Sequence, residues 1–259
     1  MKYEFNDKEH LHLLDGKPLT GTSSVGNVLA KPLTWWAAGL AVEKFGWLNP
    51  KKFSSEECAV ACEDGLDKVK KMERDEYAKL LTEAYYAHSK KLKDSAKTGT
   101  DLHEELEAYV KAMMKLKPVR KYDEKIQPFI NWADENVKKF IASEAHCFDE
   151  ELWVGGITDV VAELNDGKLA IIDFKSSKEA YPTQFLQVSG YAIQIEKNGL
   201  WDMGGTVNKK LDKQIEALII VPFGADVIEP AIRYDLDSYK QGFRSAVVLY
   251  RLLGMEKTN

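Results

Sequence analysis

The sequence has few cysteines and no long apolar run, and each absence excludes a class of protein. Its three cysteines are Cys58, Cys62 and Cys147, and an odd number argues against a disulfide-stabilised secreted domain. No apolar stretch approaches the roughly 20 residues of a membrane-spanning helix, and the first residues lack the apolar region of a signal peptide. We therefore expect a cytoplasmic protein that does not bind membranes.

The common nucleotide-binding motifs are also missing. The chain has no P-loop, no glycine motif of a dinucleotide-binding fold and no internal repeat. Its net charge of −5 provides no overall attraction to nucleic acid, although net charge can conceal local patches. The length of 259 residues suits one domain, or one domain with a helical elaboration.

The most informative stretch is a predicted β-hairpin. Residues 152–164 and 168–174 are rich in Val, Ile and Leu, which favour strands. They flank Asn165-Asp166-Gly167, a strong turn signal. We therefore predict two antiparallel strands joined by a loop of these three residues.

This register would bring charged side chains together on one face of the hairpin. Asp159 would lie opposite Asp173, and Lys175 would point the same way because side chains alternate along a strand. A loop one residue shorter would change the register. Facing carboxylates need a positive partner, which either a divalent cation or a structural salt bridge would provide.

A helix is predicted next, over the stretch that follows Pro182 and ends before Asn198-Gly199. Pro182 lies near its start and Gly199 follows its end. Most of its side chains are apolar, so the helix should pack on the sheet, and its polar stripe then needs polar partners. We interpret the stripe as facing the charged site rather than solvent. The stripe consists of Gln184, Gln187, Tyr191 and Gln194.

The rest of the chain predicts a mixed α/β pattern. Asp15-Gly16 is the expected turn of an N-terminal hairpin, and Ser54 begins a highly charged helical region over residues 54–98. The remaining predicted elements are a helix at 123–141, a strand at 144–150, a buried parallel strand at 214–222 and a closing helix at 235–253.

Eight polar, aromatic or basic residues outside the hairpin are candidates for contacting nucleic acid. The bland alternatives are helix capping for the serines, core packing for the tryptophans and a solvated surface for the basic residues. The functional interpretations are that the tryptophans stack on bases and that the serines and basic residues contact phosphate. The candidates are Ser23, Ser24, Trp35, Trp36, Lys115, Lys117, Arg120 and Lys121.

One histidine follows a short glycine-containing motif. Asp101 and Glu104 have capping-box spacing, which predicts that a helix begins there. His103 would lie in its first turn, away from the apolar stripe. A lone histidine in that position is ordinarily a surface residue.

Four motifs together resemble the RecB-like branch of the PD-(D/E)XK nucleases. They occur in the family's order, and the resemblance covers roughly residues 99–225. The motifs are Gly99-Thr-x-x-His103, Gly156-x-x-Asp159, Asp173-x-Lys175 and Gln187-x-x-x-Tyr191.

The resemblance implies a fold and a division of the chain. The fold would be α/β, with a mixed central sheet of the restriction-endonuclease-like type flanked by helices. Residues 99–259 would form the nuclease core, and residues 1–98 an N-terminal arm and helical region that covers the active-site groove.

The resemblance also implies a metal centre. It would bind Mg²⁺ or Mn²⁺ through His103, Asp159, Asp173 and the Phe174 carbonyl. Glu144 resembles a glutamate that often precedes the hairpin in this family, and we assign it no metal role. Some family members carry an iron–sulfur cluster that needs three cysteines after the nuclease motifs. No cysteine follows Cys147, so no cluster is expected. The implied catalytic residues are Asp159, Asp173, Lys175, Gln187 and Tyr191.

The expected function is that of a metal-dependent DNA nuclease, most simply an exonuclease of phage or recombination/repair type that acts on free DNA ends. An endonuclease or flap nuclease of the same fold is the nearest alternative. A non-catalytic nucleic-acid-binding module and a structural scaffold with a salt-bridge cluster are the alternatives outside the enzyme class.

Overall fold

The computed structural model describes residues 1–29, 33–206, 208–224 and 228–255, without the side chains of 94–100 and 208. It divides into two compact units. The larger comprises Met1–Ala30 and Gly99–Asn259, and the smaller comprises Lys31–Thr98. This grouping differs from the predicted division, because the N-terminal segment associates with the strands of the larger unit rather than with the helical region.

The secondary structure alternates helices and strands in the order expected of an α/β protein. The helices are α1 (Thr22–Val25), α2 (Thr34–Glu43), α3 (Ser55–Lys70), α4 (Arg74–Tyr85), α5 (Ala87–Met113), α6 (Gln127–Asn136), α7 (Pro182–Asn198) and α8 (Leu236–Leu252). Short 3₁₀ helices cover Gly26–Leu29 and Glu124–Ile126. The strands are β1 (Tyr3–Asn6), β2 (Leu11–Leu14), β3 (Lys17–Pro18), β4 (Thr20–Gly21), β5 (Val137–Asp149), β6 (Val154–Leu164), β7 (Leu169–Lys175), β8 (Leu200–Trp201), β9 (Asn208–Lys209), β10 (Ile215–Pro222) and β11 (Ala231–Arg233).

The larger unit is built on a mixed sheet whose pairings are mostly antiparallel. Its strand order in the described residues is β11-β10-β7-β6-β5-β8-β9, with β4 paired to β6. The β7·β10 and β4·β6 pairs are parallel. A parallel partner for β7 requires a crossover connection, and α7 provides it. The predicted strand at 214–222 and its parallel pairing are confirmed.

The predicted hairpin register is confirmed. β6 and β7 pair antiparallel from Glu163↔Leu169 to Val160↔Ile172. The Leu164 N–H donates to the Lys168 carbonyl at 2.9 Å, which closes the three-residue loop. Gly167 has φ +85°, a left-handed conformation that glycine adopts without steric cost. Local turn chemistry therefore sets the register of the two strands.

Helices cover both faces of the sheet. One face packs against the C-terminal part of α5 and against α6, and the other packs against α7, which in turn packs against α8. The first layer includes Leu106, Val110, Phe129, Val160 and Ile172. The second includes Val161, Ile171, Phe185, Val188 and Leu218.

Three predicted boundaries are wrong. α5 is continuous from Ala87, so Asp101 does not begin a helix. The helix predicted at 123–141 ends at Asn136, and β5 begins at Val137 rather than at residue 144. Val137 and Phe140 pack against the core beneath α5, which favours pairing with β6 over continuation of the helix.

The N-terminal segment forms a small sheet with strand order β1-β2-β3. Asp15 and Gly16, with φ of 49° and 75°, form the predicted tight turn, here between β2 and β3. Ser23 and Ser24 do not cap α1, since Gly21 is its N-cap and no side chain accepts a capping hydrogen bond. Among the described residues, no helix is both long and apolar enough to cross a membrane.

Candidate active site

The candidate site lies where β6 and β7 separate. The recorded backbone pairs stop at Val160↔Ile172, one residue before Asp159 and Asp173 would face each other. The Asp159 side chain continues the connection instead, because its Oδ2 accepts a hydrogen bond from the Phe174 N–H at 2.6 Å. Asp159 and Asp173 therefore lie near each other at the point where the two strands separate, but they do not form a regular cross-strand pair.

Asp173 and Lys175 form a buried ion pair at this point. Asp173 is 1% exposed, and Lys175 Nζ lies 2.5 Å from its Oδ2. Burial raises the pKa of Asp173 to about 7, against the lowering effect of Lys175, and the charge of Asp159 raises it further. Burial alone would lower the pKa of Lys175, but Asp173 and Asp159 outweigh it and raise the pKa.

His103 joins the site from α5. Its Nε2 lies 3.3 Å from Asp159 Oδ2. The hydrogen bond to Asp159 is the largest cause of a raised pKa for His103. Leu106 and Val110, one and two turns further along α5, are fully buried against the sheet and fix the helix in position. Tertiary packing therefore places His103 beside the hairpin although its helix starts far upstream.

Two glutamates also reach the site, and the first is Glu144, which the sequence prediction named but gave no metal role. Glu144 lies in β5 between Ser143, which pairs with Val160, and Ala145, which pairs with Thr158, so it is level with Asp159. Its Oε1 is buried without a hydrogen-bond partner. Burial, followed by the charge of Asp159, raises the pKa of Glu144 to about 7.

The second is Glu107 of α5, which the sequence prediction did not single out. It follows His103 by four residues, so the two side chains project from the same helix face. This spacing was a detectable signal in the sequence. Glu107 also forms an ion pair with Lys111.

Tyr191 of α7 lies near enough to Asp173 to interact with its charge, and Gln187 contacts Tyr191. Gln187 Nε2 donates a 2.7 Å hydrogen bond to the Tyr191 hydroxyl. Burial raises the pKa of Tyr191 well above its ordinary value, and Asp173 adds to this rise, so the phenol keeps its proton. A Cβ on Gly156 would lie 2.5 Å from the Tyr191 ring, which explains the glycine before Asp159.

The four polar side chains of the α7 stripe do not all face the same site. Gln194 Nε2 donates to Thr22 Oγ1 at 2.7 Å, and the Thr22 hydroxyl donates to the Gly155 carbonyl. Gln184 instead donates to Ser177. Of the stripe, Tyr191 interacts with the charges of Asp173 and Asp159, and Gln187 is joined to Tyr191 by its hydrogen bond.

The predicted nucleic-acid contacts belong partly to the larger unit and partly to the smaller. Ser23 and Ser24 line a cleft of about 720 Å³ in the larger unit, together with Gly156 and Tyr191. In the smaller unit, Trp35 is 89% exposed, so core packing does not explain it.

The basic connector after α5 is solvent-exposed. Arg120 forms an ion pair with Glu105 at 2.6 Å, which occupies part of its guanidinium. The other three residues predicted to bind phosphate are exposed: Lys115, Lys117 and Lys121.

No family model matches the chain, and no curated protein is similar to it in sequence. Inference about function therefore rests on the chemistry and geometry of the residues and on the resemblance of their motifs.

Proposed function

We propose that this protein is a metal-dependent deoxyribonuclease of the PD-(D/E)XK type, with an active site of the RecB-like branch. One observation carries the proposal. Asp159, Asp173 and Lys175 converge where two paired strands separate, and His103 approaches from a helix on the neighbouring layer. The resemblance of the four motifs supports it.

The residues fit a divalent cation. Burial and the neighbouring Asp159 both oppose the charge on Asp173, and Lys175 offsets them only in part, since the pKa stays raised. A cation between the carboxylates would relieve this repulsion. Asp159, Asp173, His103 and the Phe174 carbonyl would hold it. When bound, Mg²⁺ or Mn²⁺ would supply a water nucleophile at neutral pH and compensate the charge of the phosphate.

The remaining residues position and stabilise the substrate. Lys175 stays protonated because its pKa is raised, so its ammonium can stabilise negative charge that develops on the phosphate. The Tyr191 hydroxyl accepts from Gln187, which leaves its own proton free to donate to a phosphate oxygen or to the attacking water.

We propose cleavage from a free DNA end as the mode of action, in line with the function expected from the RecB-like motifs. Incubation in Mg²⁺ or Mn²⁺ with end-labelled linear single strands, linear duplex and closed circular single strands tests this mode. We expect degradation of the linear single strand and persistence of the circle. Rapid cutting of the circle would favour an endonuclease instead.

The matched variants Asp173→Asn and Asp166→Asn test the site itself. Both change one carboxylate of the same hairpin to an amide, but Asp166 is paired with Lys168 at the turn. We expect Asp173→Asn to abolish cleavage and Asp166→Asn to retain it. Full activity of Asp173→Asn would refute the proposed site, and DNA binding without any cleavage by the wild type would favour a binding module.

A further inference from the structure

We propose that a group of lysines at the other end of the β6–β7 hairpin from Asp159 and Asp173 binds the phosphate backbone of DNA. That this DNA is also the substrate rests on the proposed function, but the binding can be measured without cleavage. We call these residues the lysine patch: Lys138, Lys139, Lys209, Lys210 and Lys213.

A β-bulge directs two of these lysines toward the same carboxylate. Val137 pairs with Leu164 and Lys139 pairs with Glu163, so Lys138 is an extra residue in β5. Regular alternation would send neighbouring side chains to opposite faces, yet Lys138 Nζ donates to Glu163 Oε1 at 2.8 Å. This hydrogen bond is the largest cause of a lowered pKa for Glu163, and the charge of Lys139 lowers it further. The bulge therefore concentrates positive charge at the start of β5.

The segment between β9 and β10 supplies the other three lysines. Lys209 ends β9, and Lys210 and Lys213 follow it in the loop. Leu211 packs against the apolar layer beneath α7, and Lys213 Nζ donates to the Gly167 carbonyl at 3.2 Å. These contacts hold the loop against the hairpin turn, so its lysines stay close to those of β5.

The lysine patch carries more positive charge than its surroundings neutralise. Four of its five lysines line an open cleft of about 250 Å³, whose carboxylates are Glu163 and Asp212. Lys139, Lys209 and Lys210 are exposed and form no ion pair with any residue that the structure describes. A local excess of positive charge on a chain with a net charge of −5 favours a polyanion at this surface.

The residue types indicate a phosphate backbone rather than another protein. Lysine binds phosphate as a point charge, whereas the centres of protein interfaces are depleted of lysine and enriched in aromatic residues. The described residues that line the cleft include no aromatic side chain. Contacts made only to phosphate do not depend on base sequence, which suits an enzyme that moves along its substrate.

The position of the lysine patch separates it from the chemistry of cleavage. Glu163 follows Asp159 by four residues on β6, which is about 13 Å at the rise of a strand. One strand of DNA advances about 3.4 Å per nucleotide, so the contacts would fall roughly four nucleotides from the cleaved bond. The lysine patch should therefore raise the affinity for DNA without taking part in the reaction.

The test is binding of a labelled single-stranded oligonucleotide to the full chain, measured by fluorescence anisotropy over a range of salt, with chelator present to prevent cleavage. We expect Lys209→Gln/Lys210→Gln to weaken binding at low salt at least about threefold. It should also lower the slope of log affinity against log salt by about 1.4, since each lysine would neutralise one phosphate. Lys8→Gln/Lys17→Gln is the matched control, because both are exposed lysines of the same unit at the separate β1-β2-β3 sheet, and it should bind like the wild type.

Equal affinities and equal salt slopes in the two double variants would overturn the proposal, and so would wild-type binding that is absent or independent of salt. Weaker binding of poly-L-glutamate, but not of DNA, by Lys209→Gln/Lys210→Gln would assign the lysine patch to an acidic protein instead. In cleavage, the same variant should raise KM and leave kcat unchanged. Weaker DNA binding by this variant, without any cleavage by the wild type, would contradict the proposed nuclease and leave the lysine patch standing.

Discussion

Two buried polar clusters of this protein handle their charges in opposite ways. In the first, the Tyr3 hydroxyl lies 2.6 Å from His12 Nδ1 and 3.1 Å from His146 Nδ1. Burial lowers the pKa of His12 to about 3, so the ring is neutral. We call Tyr3, His12 and His146 the tyrosine cluster.

The second cluster buries carboxylates whose negative charge its positive residues compensate only in part. Asp159, Asp173 and Glu144 meet with His103 and Lys175. We call these residues the carboxylate site. Burial raises the pKa of Asp173 and of Glu144 to about 7.

The difference separates a structural cluster from a functional one. Neutral groups that hydrogen-bond one another can be buried at little cost and stabilise a unique packing. Buried carboxylates with incomplete pairing destabilise the fold, and such groups concentrate where a protein binds ions or performs catalysis. Substitutions in the two clusters should therefore affect different properties.

The largest expected effect is on catalysis, from Lys175→Met. Loss of the ammonium removes the positive charge nearest Asp173. We expect DNA cleavage to fall about a thousandfold or more, as measured by release of end label. Lys168→Met, which removes a surface ion pair of the same hairpin, is the control and should retain activity. Comparable losses in both variants would mean that the hairpin's stability, rather than Lys175, is responsible.

Next in size is His103→Ala. It removes the nitrogen donor, so activity should fall about ten- to a hundredfold. Mn²⁺ should restore activity better than Mg²⁺, as measured by initial rates over a range of each ion. Wild-type rates in both metals would make His103 only a structural partner of Asp159.

Substitutions in the tyrosine cluster should instead lower the stability of the fold. Tyr3→Phe leaves both histidines without the hydroxyl and should lower the free energy of unfolding by about 1–3 kcal/mol, measured by urea titration. Cleavage per folded molecule should not change. A matching loss of activity would contradict the separation of the two clusters.

The smallest expected effects are on how the free energy of unfolding depends on pH. They give the sharpest comparison of the two clusters. The folded pKa of His12 lies below its ordinary 6.5, so the stability it contributes is present above pH 6.5 and is lost as the pH falls toward 3. The folded pKa of Asp173 lies above its ordinary 3.8, so its contribution is present below pH 3.8 and is lost as the pH rises toward 7.

The two slopes therefore have opposite signs between pH 4 and 6.5. Each is at most about 1.4 kcal/mol per pH unit. We expect His12→Gln to make stability rise less steeply with pH, and Asp173→Asn to make it rise more steeply, in urea titrations with chelator present. Equal shifts of both slopes in one direction would refute the assigned protonation states.

Local chemistry made the hairpin and α7 predictable. Asn165-Asp166-Gly167 specifies a three-residue turn, and this turn sets the β6·β7 register. Pro182 and Gly199 mark the ends of α7 through their backbone preferences. These signals involve neighbouring residues only, so no knowledge of packing was needed.

The start of β5 was unpredictable for the opposite reason. The segment from Val137 to Ile141 continues the helix pattern of α6, yet it pairs with the end of β6. Val137 and Phe140 gain more from the core beneath α5 than from another helical turn. Such a choice depends on residues distant in the chain, which override local propensity.

The sequence by itself determined the hairpin register, the proximity of Asp159, Asp173 and Lys175, and the placement of Gln187 and Tyr191 on one helix face, because short-range geometry is encoded within each segment. Only the tertiary structure decided that Glu107 and Glu144 reach the same site. Their positions follow from the packing of α5 against the sheet and from the β5·β6 register, and both arise from burial of apolar side chains far apart in the chain.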